Sequence, residues 1–400
     1  MTNIMAKRLA IPSKELQLFI LGARDFAKAS RVQRLSINTD IPVDTKDELG
    51  NNLHVGDVKD TPNITLTFQA YDVGIKIFSA LAGKDATSYP GAGVDISVLG
   101  EIDAVAFVKD PDVSDYVKSL HARRLQIRDF TYSYSVDGDA TEEYTAIGSE
   151  KRWLKYDVVV DKFTTGTTSF TLTQTPIQLR NGRYALSVIL DGEYLEEVSA
   201  APATGEYRIV GTTLTTGDSM VTQALVAYHA NPAGNNWAYA QDASMPAAIK
   251  GKDVVISLAA GGIKRVQSVT INGNLNTTPV KELGNRVIVG YQRQVPTVEG
   301  TITVLDTDTE LVSLLTYGIV SSGVEWQPGE GCVASGISLT IELQEPCDVD
   351  VPFTILKTVH VPSITITGDS YTVNVNENAS QVFNWKSSDA QCVVYSGSLP

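Results

Sequence analysis

The chain has 400 residues, 46 acidic against 32 basic side chains and a formal charge of -14, a balance that argues against a protein gripping nucleic acid by its phosphates. With 43% hydrophobic residues it can build cores and is not disordered overall, and no run of 18 apolar residues is present to cross a membrane as a helix. Three cysteines and four scattered histidines make neither a disulfide framework nor a metal-ligand spacing. The N-terminal stretch has only a broken apolar run at 16–21 before Arg24 and Asp25, which reads against a secretory signal and for reduced thiols in cytosol.

Taken in order, residues 17–21 form an apolar run of strand length. Residues 34–38 alternate, with Leu35 and Ile37 on one face. A long polar connection, 39–50, leads through another strand to 64–70. The period then turns helical over Asp72, Ile75, Phe78, Ala80 and Leu81, ending at Gly83. Strands are expected at 93–99, 104–108, 125–136 and 144–156. A middle region, 164–244, reads as alternating strands at 170–172, 184–190, 207–210 and 224–228, with Asn181-Gly182 and Asp191-Gly192 as turns. Beyond the linker at 231–237 come strands at 254–258 and 268–272, a second polar connection at 273–284 and a strand at 300–305. Asp306 then opens a helix with a Thr-x-x-Glu capping box, closed by Gly318. Strands at 337–343, 352–356, 364–375 and 381–395 finish the chain.

The order repeats because the sequence does. Residues 31–81 and 265–315 match at a constant offset of 234 with no gap, at sixteen of 51 positions. The matches include Arg31-Val-Gln33 with Arg265-Val-Gln267, and Glu48-Leu-Gly-Asn51 with Glu282-Leu-Gly-Asn285. At an offset of 239, Tyr132, Val136, Ala140 and Tyr156 face Tyr371, Val375, Ala379 and Tyr395. Two copies of one domain are expected.

Chemical motifs are sparse. Residues 329–336 are glycine-rich but lack the Gly-Lys-Ser/Thr ending of a phosphate loop. Asp137-Gly-Asp139 with Glu142 and Glu143 offers carboxylates for calcium. The matching Asn376-Glu-Asn378 has fewer, and a solvated hairpin tip is the expectation. Neither a nucleophile elbow nor a His-Glu-x-x-His pattern is present, so no catalytic, cofactor or metal residue is assigned. In both copies a polar connection of about a dozen residues ends in Glu-Leu-Gly-Asn. Gly50 and Gly284 are expected to take positive φ while Leu49 and Leu283 plug a core; ordered loops of this length are also often functional.

This succession of strands, long loop, Glu-Leu-Gly-Asn, strand, Pro, strand, Asp-led helix and Asp/Asn-tipped hairpin resembles the phage tail tube proteins, in the form some long-tailed phages carry in duplicate. The resemblance implies a mainly β chain with two tandem tail-tube-like β-sandwich or barrel domains, 1–163 and 245–400, each with one packed α-helix. A small β-module, 164–244, is inserted between them and decorates the outside. It also implies a structural virion protein without enzymatic activity. Three chains would close rings with six near-equivalent positions, and the rings would stack into a tube that conducts DNA during ejection. Implied partners are the chain itself, a tape measure protein, tail tip and terminator proteins, and viral DNA passing without specific binding. Cofactors and membranes have no part, and the place is the virion tail, assembled in host cytoplasm.

On this reading Asp40, Asp44, Lys46, Asp47, Glu48, Gly50 and Asn51 in one loop, and Lys281, Glu282, Gly284 and Asn285 in the other, dock onto the adjoining ring. Glu101, Asp103 and Asp129 are candidates for an acidic bore that repels phosphates. A tail hub or distal tail protein of the same fold is the nearest alternative. A carbohydrate-binding adhesin is further off, because Trp153, Trp237, Trp326 and Trp385 are dispersed, and an enzyme has no constellation to support it.

Overall fold

The computed structural model describes residues 16–23, 26–49, 53–83, 93–109, 116–154, 157–164, 167–179, 182–184, 186–230, 246–258, 261–262, 265–285, 287–305, 337–346, 354–373 and 378–399. The second helix expected after Asp306, the glycine-rich 329–336 and the turn at 376 lie outside these residues, as do Gly50 and Asn51.

Among the described residues the structure is mainly β, 64% strand and 4% helix. The first part comprises β1 (Leu16–Leu21), β2 (Phe26–Lys28), β3 (Val32–Asp40), β4 (Val43–Lys46), β5 (Gly56–Lys59), β6 (Asn63–Tyr71), α1 (Lys76–Leu81), β7 (Val94–Asp95), β8 (Glu101–Lys109), β9 (Tyr116–Ser135), β10 (Thr141–Gly148) and β11 (Glu150–Leu154). The middle holds β12 (Asp157–Phe163), β13 (Ser169–Thr171), β14 (Leu186–Leu190), β15 (Glu193–Tyr194), β16 (Glu196–Glu197), β17 (Glu206–Val210), β18 (Thr213–Thr216) and β19 (Ala224–Ala230). The last part comprises β20 (Val254–Leu258), β21 (Gly261–Gly262), β22 (Val266–Asn274), β23 (Thr277–Val280), β24 (Gly290–Arg293), β25 (Thr297–Leu305), β26 (Ile337–Gln344), β27 (Ile355–Thr372), β28 (Ser380–Ser387) and β29 (Val393–Ser396).

The sequence duplication is reproduced strand by strand. β3, β4, β5 and β6 begin and end 234 residues before β22, β23, β24 and β25, and β10 precedes β28 by 239. β9 and β27 begin 239 residues apart. Each is one long strand: β9 begins well before the strand expected at 125–136, and β27 joins the strands expected at 352–356 and 364–375. The expected strand at 93–99 is only a short pairing followed by a 3₁₀ turn, Ile96–Val98, capped by the Asp95 side chain.

Two compact units result, and they cut across the expected boundaries 1–163, 164–244 and 245–400. One unit is Met1–Ala29, Ile102–Arg124 and Glu150–Tyr239; the other is Ser30–Glu101, Leu125–Ser149 and Ala240–Pro400. In the first, β1 pairs with β8 and β2, while β12, β19, β14 and β15 form a second sheet. All seven residues of β19 and all five of β14 are buried. One face of their sheet packs on Phe170, Tyr207, Ile209 and Leu214. The other places Val158, Ile189, Leu225 and Ala227 against Phe19, Leu21, Val105 and Phe107. A strand covered on both faces has no polar side to show water. The middle module therefore shares a core with β1 and β8 and does not stand alone.

In the second unit an antiparallel sheet runs β3–β6–β10–β9, and its duplicate runs β22–β25–β28–β27. β9 pairs in turn with β22, from Ser135 opposite Ser268 to Asp129 opposite Asn274, so the two sets join into eight continuous strands. One face is apolar and buried, with Leu66, Phe68, Tyr132, Tyr144, Val269, Ile271, Ile302 and Trp385 among its members. The alternating residues of the other face are rich in hydroxyls: Ser36, Thr67, Thr145, Thr131, Ser133, Thr270 and Thr301. α1 buries Ile77, Phe78, Ala80 and Leu81 and is followed by Gly83 at φ 62. Its N-cap is Ile75, without a side-chain hydrogen bond, so Asp72 does not open it.

Candidate assembly surface

The two polar connections are β-hairpin arms. In the first, β4 pairs with β5 from Val43 opposite Lys59 to Lys46 opposite Gly56, and every residue of both strands is exposed. In the second, β23 pairs with β24 from Thr277 opposite Arg293 to Val280 opposite Gly290. Leu49 and Leu283 do not plug a core: they stand fully exposed at the arm ends, at 105% and 106% relative accessibility. Leu53, Val55 and Val58 are exposed beside Leu49, and Val280 and Val295 are exposed on the second arm. Gly284 takes φ 84, as its tight turn requires. The apolar tips recur in both copies, although burial would remove them from water at no cost in charge.

The expected docking charges lie along the arms. Asp40 ends β3, and Asp44, Lys46, Asp47 and Glu48 are exposed, with Lys46 paired to Asp44 and His54 to Asp47. Lys281, Glu282 and Asn285 are exposed on the second arm. Lys281 reaches Asp60 at 3.3 Å; the Thr61 backbone N–H and then Lys281 hold the Asp60 carboxyl below its ordinary value. The second arm is tethered to residues of the first copy. Tyr291 Oη donates to the Ile147 carbonyl at 3.1 Å, and the Ile288 N–H to Ser149 Oγ at 2.9 Å. Arg293 donates to the Ser97 carbonyl and to Gln126 Oε1, both at 3.1 Å.

The three acids expected to line a bore separate. Asp129 lies on the hydroxyl-rich face, half-buried and paired with Arg128 at 2.7 Å. Glu101 begins β8 and is half-buried. Asp103 is a correction: it is wholly buried, accepting from His121 Nε2 at 2.8 Å, the Arg124 N–H at 2.9 Å and Tyr194 Oη at 3.0 Å. Burial pushes its carboxyl up, but the His121 hydrogen bond and charge, with Arg123, outweigh this and hold it at about 2. The sequence reading missed Glu143 and Glu299, which share the face of Thr131 and Thr301. The alternation Thr141, Glu143, Thr145 and Glu299, Thr301, Thr303 was the signal for them.

Two buried polar clusters were also missed. His121 Nδ1 lies 3.0 Å from His229 Nε2, extending the Asp103–His121 pair into a row. Burial, then the neighbouring His121, Arg152 and Arg123, keep His229 well below its ordinary value, so it is neutral. The three side chains are fully buried, which makes the row a structural bond rather than a place for solutes. In the second unit Lys357 Nζ donates to Asp72 at 2.9 Å and Glu142 at 3.1 Å. Tyr134 Oη donates to Asp72, and Tyr144 Oη to Glu142. With Glu142 turned inward and Asp139 paired to Lys250 at 2.7 Å, the carboxylates at 137–143 diverge. Among the described residues no His, Cys, Asp and Glu gather as a metal site.

No family model matches the chain, and no curated protein matches it significantly.

Proposed function

We propose that the protein is a self-assembling structural subunit of a phage tail tube, built as rings of three chains that stack end to end and let DNA pass through. One observation carries this reading: two duplicated four-stranded sets pair edge to edge within the chain, making an unbroken run of eight strands within a larger sheet, with one face buried and mainly apolar and the other rich in hydroxyls. A heterologous contact of this kind, repeated by rotation, closes a ring and removes the exposed strand edges. Three chains of eight strands would form a barrel of twenty-four. Seryl and threonyl hydroxyls with scattered carboxylates, Asp129, Glu143 and Glu299, suit a wall that a polyanion slides along, and of the cations on this face Lys386 stands opposite Glu299. The two arms with leucine tips would reach the next ring.

Electron microscopy of the purified protein at rising concentration tests the reading. Rings or tubes with three chains per layer are expected. A protein that stays monomeric, or rings of six whole chains, would overturn it. A single cap on tubes made of another protein would favour the hub reading.

A further inference from the structure

The Lys357 cluster holds the reactants for an amide bond. Lys357, on β27, and Asp72, directly after β6, are both 0% exposed, and Nζ lies 2.9 Å from Asp72 Oδ1. The carboxyl carbon is one bond further on. Glu142, on β10 and as deeply buried, sets Oε2 3.1 Å from the same nitrogen. We propose that this cluster cross-links the chain to itself: Lys357 Nζ joins Asp72 Cγ in an isopeptide bond, with Glu142 as the proton shuttle. The bond would clamp the first copy to the second across 285 residues of sequence. It concerns the single chain and needs neither rings nor DNA.

Every reacting group is held in place. The Asp72 N–H donates to the Ala140 carbonyl at 2.8 Å, and Glu142 sits in register between Ala70 of β6 and Tyr132 of β9. Tyr134 Oη donates to Asp72 Oδ2 at 3.0 Å, and Tyr144 Oη to Glu142 Oε2 at 2.9 Å. The Tyr132 ring lies 4.5 Å from Nζ, and all three tyrosines are buried. Fixing the amine against the carboxyl replaces an encounter in solution by an intramolecular step. Excluding water removes the hydration that holds both charges apart and the reagent that would hydrolyse the product.

The atoms balance as a condensation. Nζ passes one proton along its hydrogen bond to Asp72 Oδ1, and the freed lone pair attacks Cγ. Charge then gathers on Oδ2, where the Tyr134 hydroxyl already donates. Glu142 takes a second proton from the bonded nitrogen and returns one to Oδ1. The Cγ–Oδ1 bond breaks, Oδ1 leaves as water, and Oδ2 remains as the amide oxygen. Glu142 ends as it began, and nothing is oxidised or reduced. Burial pushes the Glu142 carboxyl up to about 7, which suits a group that must both take and give a proton near neutral pH. Burial also presses the Lys357 ammonium to lose its proton, but Asp72 and Glu142 outweigh this and keep it charged. Proton transfer to Asp72 is therefore the uphill step, and the ion pair is the reactant state from which the bond forms slowly.

The duplication does not account for the cluster. The offset of 239 carries Lys357 back to Lys118 and Glu142 forward to Gln381. Lys118 is exposed, with Nζ 4.5 Å from the Trp153 ring, and Gln381 donates to Asp369 at 3.1 Å. A buried lysine between two carboxylates thus belongs to one place in the chain, where as a plain ion pair it would add little stability.

Intact-mass spectrometry of the full chain, freshly folded and then aged at neutral pH before denaturation, tests the proposal. Wild type should become lighter by one water. Tryptic digestion should then yield a branched peptide joining the segment of Asp72 to that of Lys357, uncut after Lys357. Lys357→Arg should keep its full mass, and Glu142→Gln should lose water about a hundredfold more slowly or worse. Aged wild type of full mass overturns the proposal. So does a water loss without the branched peptide, or one that Lys357→Arg shares. A branch from Lys357 to Glu142 overturns the choice of Asp72, and linking of Glu142→Gln at the wild-type rate overturns the shuttle. The wild-type mass and branched peptide decide the bond even if a variant fails to fold.

Discussion

Lys357 is the most consequential single side chain in the second unit, and its value is easily misread. A buried ion pair adds little over a well-packed apolar pair, but removing one member strands the other charge away from water. Lys357→Ala should cost about 3–5 kcal/mol, read from denaturant unfolding, since Asp72 and Glu142 would face each other without the ammonium. An unchanged midpoint would show that water reaches the cluster. Burial pushes the Glu142 carboxyl up to about 7, Asp72 adding to this and Lys357 opposing it. The native state therefore binds more protons than the unfolded chain between 4.5 and about 7, and stability from this group falls as pH rises through that window. Glu142→Gln removes the titration. Wild-type stability relative to that variant should drop by about 1–3 kcal/mol from pH 5 to pH 8. A constant difference would place the titration elsewhere. Asp103 has the opposite sign: its contribution is complete above its ordinary 3.8 and is lost as pH falls through about 2. None of these partners was legible in the sequence. Asp72 looked like the acid that starts a helix, and its real partner lies 285 residues away.

The elements were easier to read than their ends. Alternation at 34–38 and 268–272 marked β3 and β22, because one buried face leaves a period of two in the sequence. The polar connections stand out as unusual, but the pairing of β4 with β5 and of β23 with β24 does not show in the sequence: β4 and β5, exposed on every residue, have no alternation, and β23 and β24 are too short to display one. Leu49 and Leu283 were expected inside for the simple reason that leucine usually is. As both are fully exposed, Leu49→Glu with Leu283→Glu should shift unfolding by no more than about 0.5 kcal/mol while abolishing ring stacking, checked by calorimetry and microscopy together. Stacked tubes from the double variant would assign the arms another role. β19 was read as alternating, whereas its run Ala-Leu-Val-Ala-Tyr-His-Ala is continuous, the mark of a strand covered on both faces.

For the whole molecule, charge sets a further expectation. Each chain carries -14, so bringing three together concentrates like charge that only counterions can relieve. Ring formation should therefore strengthen from about 0.05 M to 0.5 M salt, measured by light scattering or native mass; weakening with salt would point instead to ion pairs as the main bond between chains. The duplication was fully legible in sequence, because copies keep their spacing when side chains drift. The division into units was not. β9 contributes its first half to one unit and its second half to the other, and the middle module closes its core with β1 and β8. Periodicity, turns and repeats are local, and by themselves they determined a mainly β chain made twice from one plan. Which apolar face meets which, which buried charge finds its counter-charge and which edge stays open depend on contacts between residues hundreds of positions apart. Those energies are shared across space rather than written along the chain, so only the tertiary structure decided them.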